Sequence, residues 1–435
     1  MNPPLTTWPT YDKGDVFLSP EDIAAAMEAL RAQLFFRYDF RPHEETFTGL
    51  FERRLCEVFG ARHALACASG TTAITLSLLA LQLPADSPIA CPAFTFAATP
   101  SAILLAGHRP VLVECDENLH LDVRDLRRVL DEGAKAVVVV HMRGFASDMP
   151  EICRLAEEYD AFVVEDAVPA LGARLDGRYL GTFGHFGAFS TQSDKSLNTG
   201  EGGFLLTDDP EAYARAVVYS GAYEGRMARH FPGQVPDVDD RAFPIFSFRM
   251  DEIRAALAGA LLQRLPDRLA AHHRNYDYVA ERLADLDGIA LRQPVAPGAY
   301  LGEALVFRLP GATPRECAAF AGAVAAEGVD ARALGDRDDV NVRAFWNWRF
   351  LLGDDPDAAR SLFPASARYV SEAIDIPLSA NLTLADCDRL VTAVRKAAAR
   401  RPAAEKSAVN RPAVENTAVR GPAAGKAAAG RAASR

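Results

Sequence analysis

The sequence predicts an α/β chain: a large domain with a mostly parallel central sheet under helices on both faces, followed by a smaller C-terminal α+β domain. Three observations predict it. From Arg62 onward, short apolar runs alternate with stretches of helical period, the pattern of repeated β-α units. Val137-Val138-Val139-Val140 is an unbroken apolar run, as expected of a strand buried on both faces. After about Asp251 the alternation gives way to a long helical stretch, Glu252–Leu286, interrupted once at Pro266.

Taken in order, the first 35 residues read as an entry arm and a helix over Pro20–Ala32. Strand and helix then alternate: His63–Ala68 with Ala73–Leu83, Pro110–Glu114 with Val123–Leu130, and Ala136–His141 with Pro150–Tyr159. Ala161–Val164 and Gly187–Thr191 add further short strands. The stretch Ala64–Leu83 is apolar enough to raise the question of a membrane helix, but Ser69-Gly70-Thr71-Thr72 breaks it into a strand, a tight turn and a buried helix. Beyond the long helical stretch come a strand at Ala304–Leu309 and helices at Pro314–Glu327 and Leu384–Ala399. The expected domains are an arm and helix at 1–35, a large domain at 36–260, a small domain at 261–400 and a tail at 401–435. That tail repeats Ala, Pro and charge without an aromatic residue. It holds seven basic and two acidic side chains, a net +5 that leaves −16 on residues 1–400. It has too little apolar surface to offset the entropy of ordering, so it reads as a disordered extension.

With 435 residues, 49% of them hydrophobic, the chain can bury a large core. Its net charge of −11 argues against nucleic acid as a partner, because phosphate binding needs a basic face. The seven cysteines (Cys56, Cys67, Cys91, Cys115, Cys153, Cys317 and Cys387) are scattered, odd in number and without a CxxC pair. They read as reduced thiols, and the N-terminus lacks a basic then apolar leader, so a cytoplasmic protein away from the membrane is expected. His63, His108, His120, His141 and His185 show no metal-ligand spacing such as HxxxH, and no metal site is expected.

Three segments carry the chemistry. Ala68-Ser69-Gly70-Thr71-Thr72-Ala73 follows a strand and opens a helix, where free N–H groups, a positive dipole end and two hydroxyls suit a phosphate; a plain helix cap is the bland alternative. Phe162-Val163-Val164-Glu165-Asp166 is a strand ending in two carboxylates, at the edge where parallel sheets bind ligands, and an acid there can hold a protonated ring nitrogen. A solvated loop acid is the alternative. Gly187–Gly203 runs from a short strand through a polar turn with one lysine, Lys195, to a glycine-rich return. A lysine nucleophile has to be partly deprotonated, which partial burial favours. A lone lysine is otherwise a surface residue.

With all three segments in hand, the chain resembles the DegT/StrS-type sugar aminotransferase family of pyridoxal-phosphate fold type I, over roughly residues 5–400. The resemblance is carried in order by ASGTTAI, CPAFTFAATPSAILLAG, VVVHMRGFASDM, VVEDAVPALGA, GRYLGTFGHFGAFS and DKSLNTGEGGFLLTDD, and is strongest over 62–207. It implies pyridoxal 5′-phosphate (PLP) held as a Schiff base on Lys195, with Asp166 on the pyridine nitrogen and Phe96 against the ring. It implies phosphate ligands at Gly70, Thr71, Thr72 and Ser190. It also implies a homodimer with shared active sites, in which Phe246-Ser247-Phe248-Arg249-Met250 reaches the neighbouring subunit's phosphate and Ser247 is the donor.

The resemblance further implies an aminotransferase that moves nitrogen from glutamate or glutamine to a keto sugar or cyclitol, in sugar-nucleotide or secondary-metabolite (antibiotic) biosynthesis. Three positions depart from the family pattern: Pro169 stands where the family has Gln, Ser247 where it has Asn, and a His beside Ser220-Gly221 is missing. Two alternatives follow. One is another PLP reaction or a non-sugar substrate, although family dehydratases replace the lysine with His. The other is a non-enzymatic regulator, which an acidic chain without a DNA-binding module disfavours.

Overall fold

A computed structural model describes Trp8 and residues 18–193, 195–336 and 340–401. Its centre is a seven-stranded sheet formed by β1 (His63–Cys67), β2 (Pro88–Pro92), β3 (Arg109–Val113), β4 (Ala136–Val140), β5 (Phe162–Asp166), β8 (Phe186–Ser190) and β9 (Gly203–Thr207). A small hairpin, β6 (Arg174–Leu175) with β7 (Arg178–Tyr179), lies between β5 and β8. The strand order is β1-β9-β8-β5-β4-β2-β3. Pairings from β3 through β8 are parallel, and β9 runs antiparallel to both β8 and β1. The expected mostly parallel sheet is thus present. All five residues of β4 are buried, which accounts for its unbroken valines.

The helices are α1 (Pro20–Ala32), α2 (Phe47–Phe59), α3 (Gly70–Ala80), α4 (Ala98–Leu105), α5 (Val123–Asp131), α6 (Met149–Glu158), α7 (Pro210–Ser220), α8 (Glu252–Gln263), α9 (Leu265–Leu283) and α10 (Pro314–Ala325). Three short ones follow, α11 (Arg349–Leu352), α12 (Pro356–Leu362) and α13 (Pro364–Ser371), and then α14 (Leu384–Ala399). Helix α2 lay outside the sequence reading although its ends are marked: Thr46 accepts from Gly49 N–H at the start, and Gly60 closes the end at φ 73. Helix α3 begins three residues before its apolar period, because Ser69 caps it: the Ser69 hydroxyl accepts from Thr72 N–H and the Thr72 hydroxyl accepts from Ser69 N–H. The helical stretch from Glu252 breaks at Arg264, and Pro266 falls in the first turn of α9, where its missing N–H costs no bond.

A second sheet, of four antiparallel strands, has the order β10-β11-β13-β12, from β10 (Ala290–Leu291), β11 (Ala304–Arg308), β12 (Arg332–Ala333) and β13 (Ala373–Pro377). Its own apolar cluster joins β11 and β13 to α9, α10 and α14. Trp8 is buried against this cluster and donates to Pro377 O at 3.1 Å. The described residues through Arg401 form one compact unit. Of the expected tail only Arg401 is described; the rest lies outside the described residues, as does most of the expected arm. All seven cysteines are free thiols. Among the described residues no helix is long and apolar enough to cross a membrane.

The end of β5 is fixed by Glu165, which is wholly buried. Its carboxylate accepts from the N–H groups of Phe183 (2.6 Å), Gly184 (2.7 Å) and Gly181 (2.8 Å), and from His141 Nε2 at 3.0 Å. Ser147 N–H donates to His141 Nδ1 at 3.2 Å, which sets the tautomer with its proton on Nε2. Replacing Glu165 by Ala would strand three backbone donors. Unfolding in denaturant is expected to show a loss of at least about 3 kcal/mol; a loss under about 1 kcal/mol would show that the carboxylate does not hold the loop.

Candidate active site

The C-terminal edge of the central sheet opens into a cavity of about 690 Å³. Its lining includes Gly70, Thr71, Phe96, Asp166, Ser190 and Lys195, six of the residues singled out in the sequence. Parallel strands present their C-terminal ends, and the loops and helix starts that follow, to one side of a sheet, so separations of more than 120 residues close into one pocket.

Asp166 ends β5 and is 6% exposed. Thr99 Oγ1 donates to its Oδ2 at 2.9 Å and Val168 N–H to its Oδ1 at 3.3 Å. The Thr95 hydroxyl, 2.8 Å from that of Thr99, extends the chain. Burial pushes the Asp166 carboxyl above the usual carboxylate range, and the Thr99 and Val168 bonds and the nearby His141 and Lys195 only partly offset it. Among the described residues Asp166 forms no ion pair within 4 Å. It is a buried acid in want of a cationic N–H.

Lys195 sits in a turn whose backbone is closed on both sides. Its own N–H donates to Gln192 O at 2.9 Å, and Thr191 N–H and Thr199 N–H donate to Gly202 O and Thr191 O, each at 2.9 Å. Asn198 Nδ2 reaches Ser193 O at 2.6 Å and Gly200 N–H reaches Asn198 Oδ1 at 2.9 Å. The side chain is neither a solvated surface lysine nor fully enclosed, and it lines the cavity.

The first turn of α3 faces the same space. Ser69, Gly70 and Thr71 line it, while Thr72 does not. The Thr72 hydroxyl donates to Ser69 O at 2.7 Å and takes part in the helix cap. At Gly70 a Cβ would lie 2.9 Å from Ser190 Cβ and from Val168 Cγ2, so only glycine lets the turn approach the strand this closely. Ser190, on β8, is buried; its hydroxyl donates to Gly202 O at 3.4 Å and accepts from Gln192 N–H at 3.2 Å.

Phe96 is 48% exposed, with its ring open to the cavity and Arg343 6.0 Å from its centroid. A core aromatic would be covered. Pro169 also lines the cavity. Ser247 does not: it is exposed, outside this chain's own pocket, and accepts from Arg249 Nη2 at 2.9 Å.

The segment after Asn341 serves both as cavity wall and as packing. Val342 and Arg343 line the cavity, whereas Trp346 and Trp348 are each 2% exposed, the latter donating to Val342 O at 2.8 Å. Among the described residues of Tyr223–Asp240, none lines it. Arg143, Glu201, Glu303 and Arg332 do, and sequence reading had singled out none of them.

Away from the cavity, His43, Glu52 and His230 place three ligand-type atoms within 4.8 Å of one another, a grouping that spacing along the chain gave no sign of. Glu52 there is already tied to buried Arg37 at 2.7 Å and to His43 at 2.9 Å. Both nitrogens of His230 lie 2.9 Å from tyrosine hydroxyls, those of Tyr38 and Tyr213. The cluster is a buried hydrogen-bond network that already engages Glu52 and both nitrogens of His230, while His43 Nδ1 and Arg37 Nε have no hydrogen-bond partner among the described residues.

The model of the DegT/DnrJ/EryC1/StrS aminotransferase family matches residues 21–395. The GDP-perosamine synthase of Caulobacter vibrioides is 32% identical over 249 residues, which cover 57% of this chain and 64% of that protein. The UDP-N-acetyl-3-dehydro-α-D-glucosamine 3-aminotransferase of Acidithiobacillus ferrooxidans is 31% identical over 251 residues, again 57% and 64%. The chain therefore spans just under two thirds of the length of these relatives. Among solved structures, an aminotransferase from Psychrobacter cryohalolentis superimposes with a TM-score of 0.77 at 21% identity, covering 91% of this chain and 99% of that one. At that identity the likeness is one of fold, and the fold is the expected type I architecture.

The raised carboxyl of Asp166 sets a pH dependence for the cofactor-free protein. A folded pKa above the unfolded one means that stability is full below the unfolded value and is lost as pH rises through the folded one. Asp166→Asn removes that loss and keeps one oxygen for Val168 N–H, while its NH2 can donate to the Thr99 hydroxyl. The cofactor-free variant is expected to melt above the wild type at pH 7, with the gap closing below about pH 3.9. A variant that melts lower at pH 7 would show that the site tolerates the bare carboxylate.

Proposed function

The chain belongs to the DegT/DnrJ/EryC1/StrS aminotransferase family, and from that premise we propose that it is a PLP-dependent aminotransferase passing nitrogen from glutamate or glutamine to a keto sugar or cyclitol. The observation that carries the proposal is the shared cavity: a buried acid that forms no ion pair among the described residues, a lysine, an exposed aromatic face and a helix N-terminus held open by Gly70.

These residues fit the cofactor. Asp166 would take the pyridine N–H, whose charge supplies what its burial lacks. The N–H groups of Gly70 and Thr71, which the helix cannot satisfy itself, would take the phosphate together with the Ser190 hydroxyl. Phe96 would lie against the ring and Lys195 Nζ would hold the aldehyde carbon. When bound, PLP supplies a carbonyl for amine exchange and a cationic ring that accepts the electron pair left by a departing Cα proton. Lys195 Nζ then acts as the base that removes the Cα proton of the donor, and later returns a proton to the new amine's carbon. Asp166, desolvated and held by Thr99, keeps the ring nitrogen protonated throughout. Pro169 gives the cavity no side-chain donor at its position, so the ring substituents on that side rely on other groups.

We further propose a homodimer in which residues 246–250 complete the partner's site. Ser247 is exposed and stands outside its own chain's cavity. Phe35, Phe36 and Phe40 are 44, 39 and 86% exposed, apolar surface of the kind that self-association covers. Light scattering is expected to give twice the 47.0 kDa of one chain; a monomer that is fully active at micromolar concentration would overturn the shared site.

Borohydride treatment of the PLP-loaded protein is expected to fix the cofactor on the peptide containing Lys195, as read by mass spectrometry. Lys195→Arg is expected to lower turnover by about 10²–10⁴-fold. An adduct on another lysine, or a variant that keeps its turnover, would sink the assignment.

A further inference from the structure

The cavity wall that faces the second sheet carries groups that the reaction above leaves without a task. Arg143 lies there with φ 54, in the left-handed region that residues with a Cβ avoid. Gly144 follows at φ 79, and a Cβ on it would come within 2.8 Å of Leu301 Cβ. The conformation is held from both sides: Arg292 Nη1 donates to Met142 O at 2.6 Å, and Leu301 N–H donates to Gly144 O at 2.8 Å. Glycine at position 143 would adopt this backbone without strain. What arginine adds is a guanidinium at the cavity, and strain kept at a ligand site is a pointer to use.

That guanidinium is held in a fixed plane. Its Nε and Nη2 lie 3.3 and 3.2 Å from Asp375 Oδ1, and its Nη1 lies 3.4 Å from Glu303 Oε1. Asp375 is wholly buried behind the wall, whereas Arg143 and Glu303 both line the cavity. Arg332, on the same wall, pairs in strand register with Asp375. Among the described residues Arg143 is thus held between two carboxylates, Asp375 and Glu303. A phosphate or carboxylate on a ligand would have to compete with Asp375 for Arg143 and would meet the charge of Glu303. Neighbouring hydroxyls on an uncharged ring suit the pair: each can accept from the guanidinium and donate to the carboxylate.

We propose that Arg143 and Glu303 form a polyol subsite that selects the acceptor by adjacent hydroxyl groups on an uncharged ring. The proposal rests on the aminotransferase reading above and names the acceptor chemistry that this chain's own cavity prefers. Asp375 is the positioning residue that keeps the guanidinium in plane, and Arg292 holds the backbone beneath it.

The test is calorimetric binding to the PLP-loaded full chain, with myo-inositol as the uncharged vicinal polyol and glucuronate as the anionic competitor. Myo-inositol is expected to bind saturably and more tightly than glucuronate. Arg143→Lys keeps the charge but loses the fork of donors, and Glu303→Gln keeps the size but loses the charge. Each is expected to weaken myo-inositol at least tenfold, and the double variant no more than about twofold beyond the worse single one, because both act on one contact. Melting curves of these conservative variants establish that they are folded, and a variant that unfolds is replaced by the other single one. Absence of saturable polyol binding, tighter glucuronate, or wild-type affinity in both variants would overturn the subsite. Failure of glutamate and glutamine alike to change the cofactor's absorbance in the wild type would instead strike the aminotransferase reading, whatever the binding shows.

Discussion

Two adjacent carboxylates end strand β5, and the two-residue period of a strand sends them to opposite faces of the sheet. Glu165 goes to the covered face, where three backbone N–H groups and His141 surround it. Asp166 goes to the cavity, where one hydroxyl and one N–H leave its charge undersatisfied. The first carboxylate is a structural anchor because its charge is fully met; the second is a chemical group because its charge is not. Anchoring Glu165 also fixes the loop at Gly181–Gly184, which feeds β8 and so sets where Ser190 and the Lys195 turn begin. A one-residue slip of β5 would exchange the two roles and destroy both.

The parts of the chain that were legible in the sequence are those whose function depends on local pattern. The β-α alternation, the buried valines of β4, the capped start of α3 and the carboxylate end of β5 all carry signals within a few residues. Lys195 and Asp166 stood out because a polar group at the end of an apolar run is locally anomalous. Helix α2 went unread although Thr46 and Gly60 mark its ends and Phe47, Phe51, Leu55 and Phe59 recur at helical spacing. Strand β2 is short and bounded by Pro88 and Pro92, which read as breakers until their placement at the strand ends is seen. At Thr72 residue type and position suit a phosphate, and the structure adds that a capping box uses the hydroxyl.

Arg143, Glu303, Arg332 and Asp375 were illegible for a different reason. Their partners lie 160 and 232 residues apart along the chain, and no local period marks a contact between the end of one sheet and the strands of another. Arg143 sits within a string that resembles the family, yet the string alone does not say that its backbone is left-handed or that its head reaches the cavity. The departures at Pro169 and Ser247 were visible as letters only. Placed in space they differ in kind: Pro169 alters the cavity surface directly, while Ser247 lies outside its own chain's pocket.

This division has a physical basis. The central sheet supplies groups that act on the cofactor, and these have to be rigid, so they sit on strand ends and the first turn of a helix. The second sheet supplies one wall of the same cavity through β12 and the residues flanking β11, elements that share no ladder with the first sheet and are joined to the segment after β4 by side chains and by a short backbone bridge at Phe145 and Tyr300. Arg292 is the clearest joint: buried, stacked 4.6 Å from the centroid of Phe145 and donating to the carbonyls of Asn118, Leu119 and Met142. Burial lowers its pKa to about 10, with the nearby Asp116 carboxylate partly offsetting the shift, which still leaves it charged at neutral pH. A joint made of directional hydrogen bonds fixes the angle of the wall without extending the sheet. The chemistry can therefore stay constant on one side of the cavity while the other side is free to change the shape and charge presented to the acceptor.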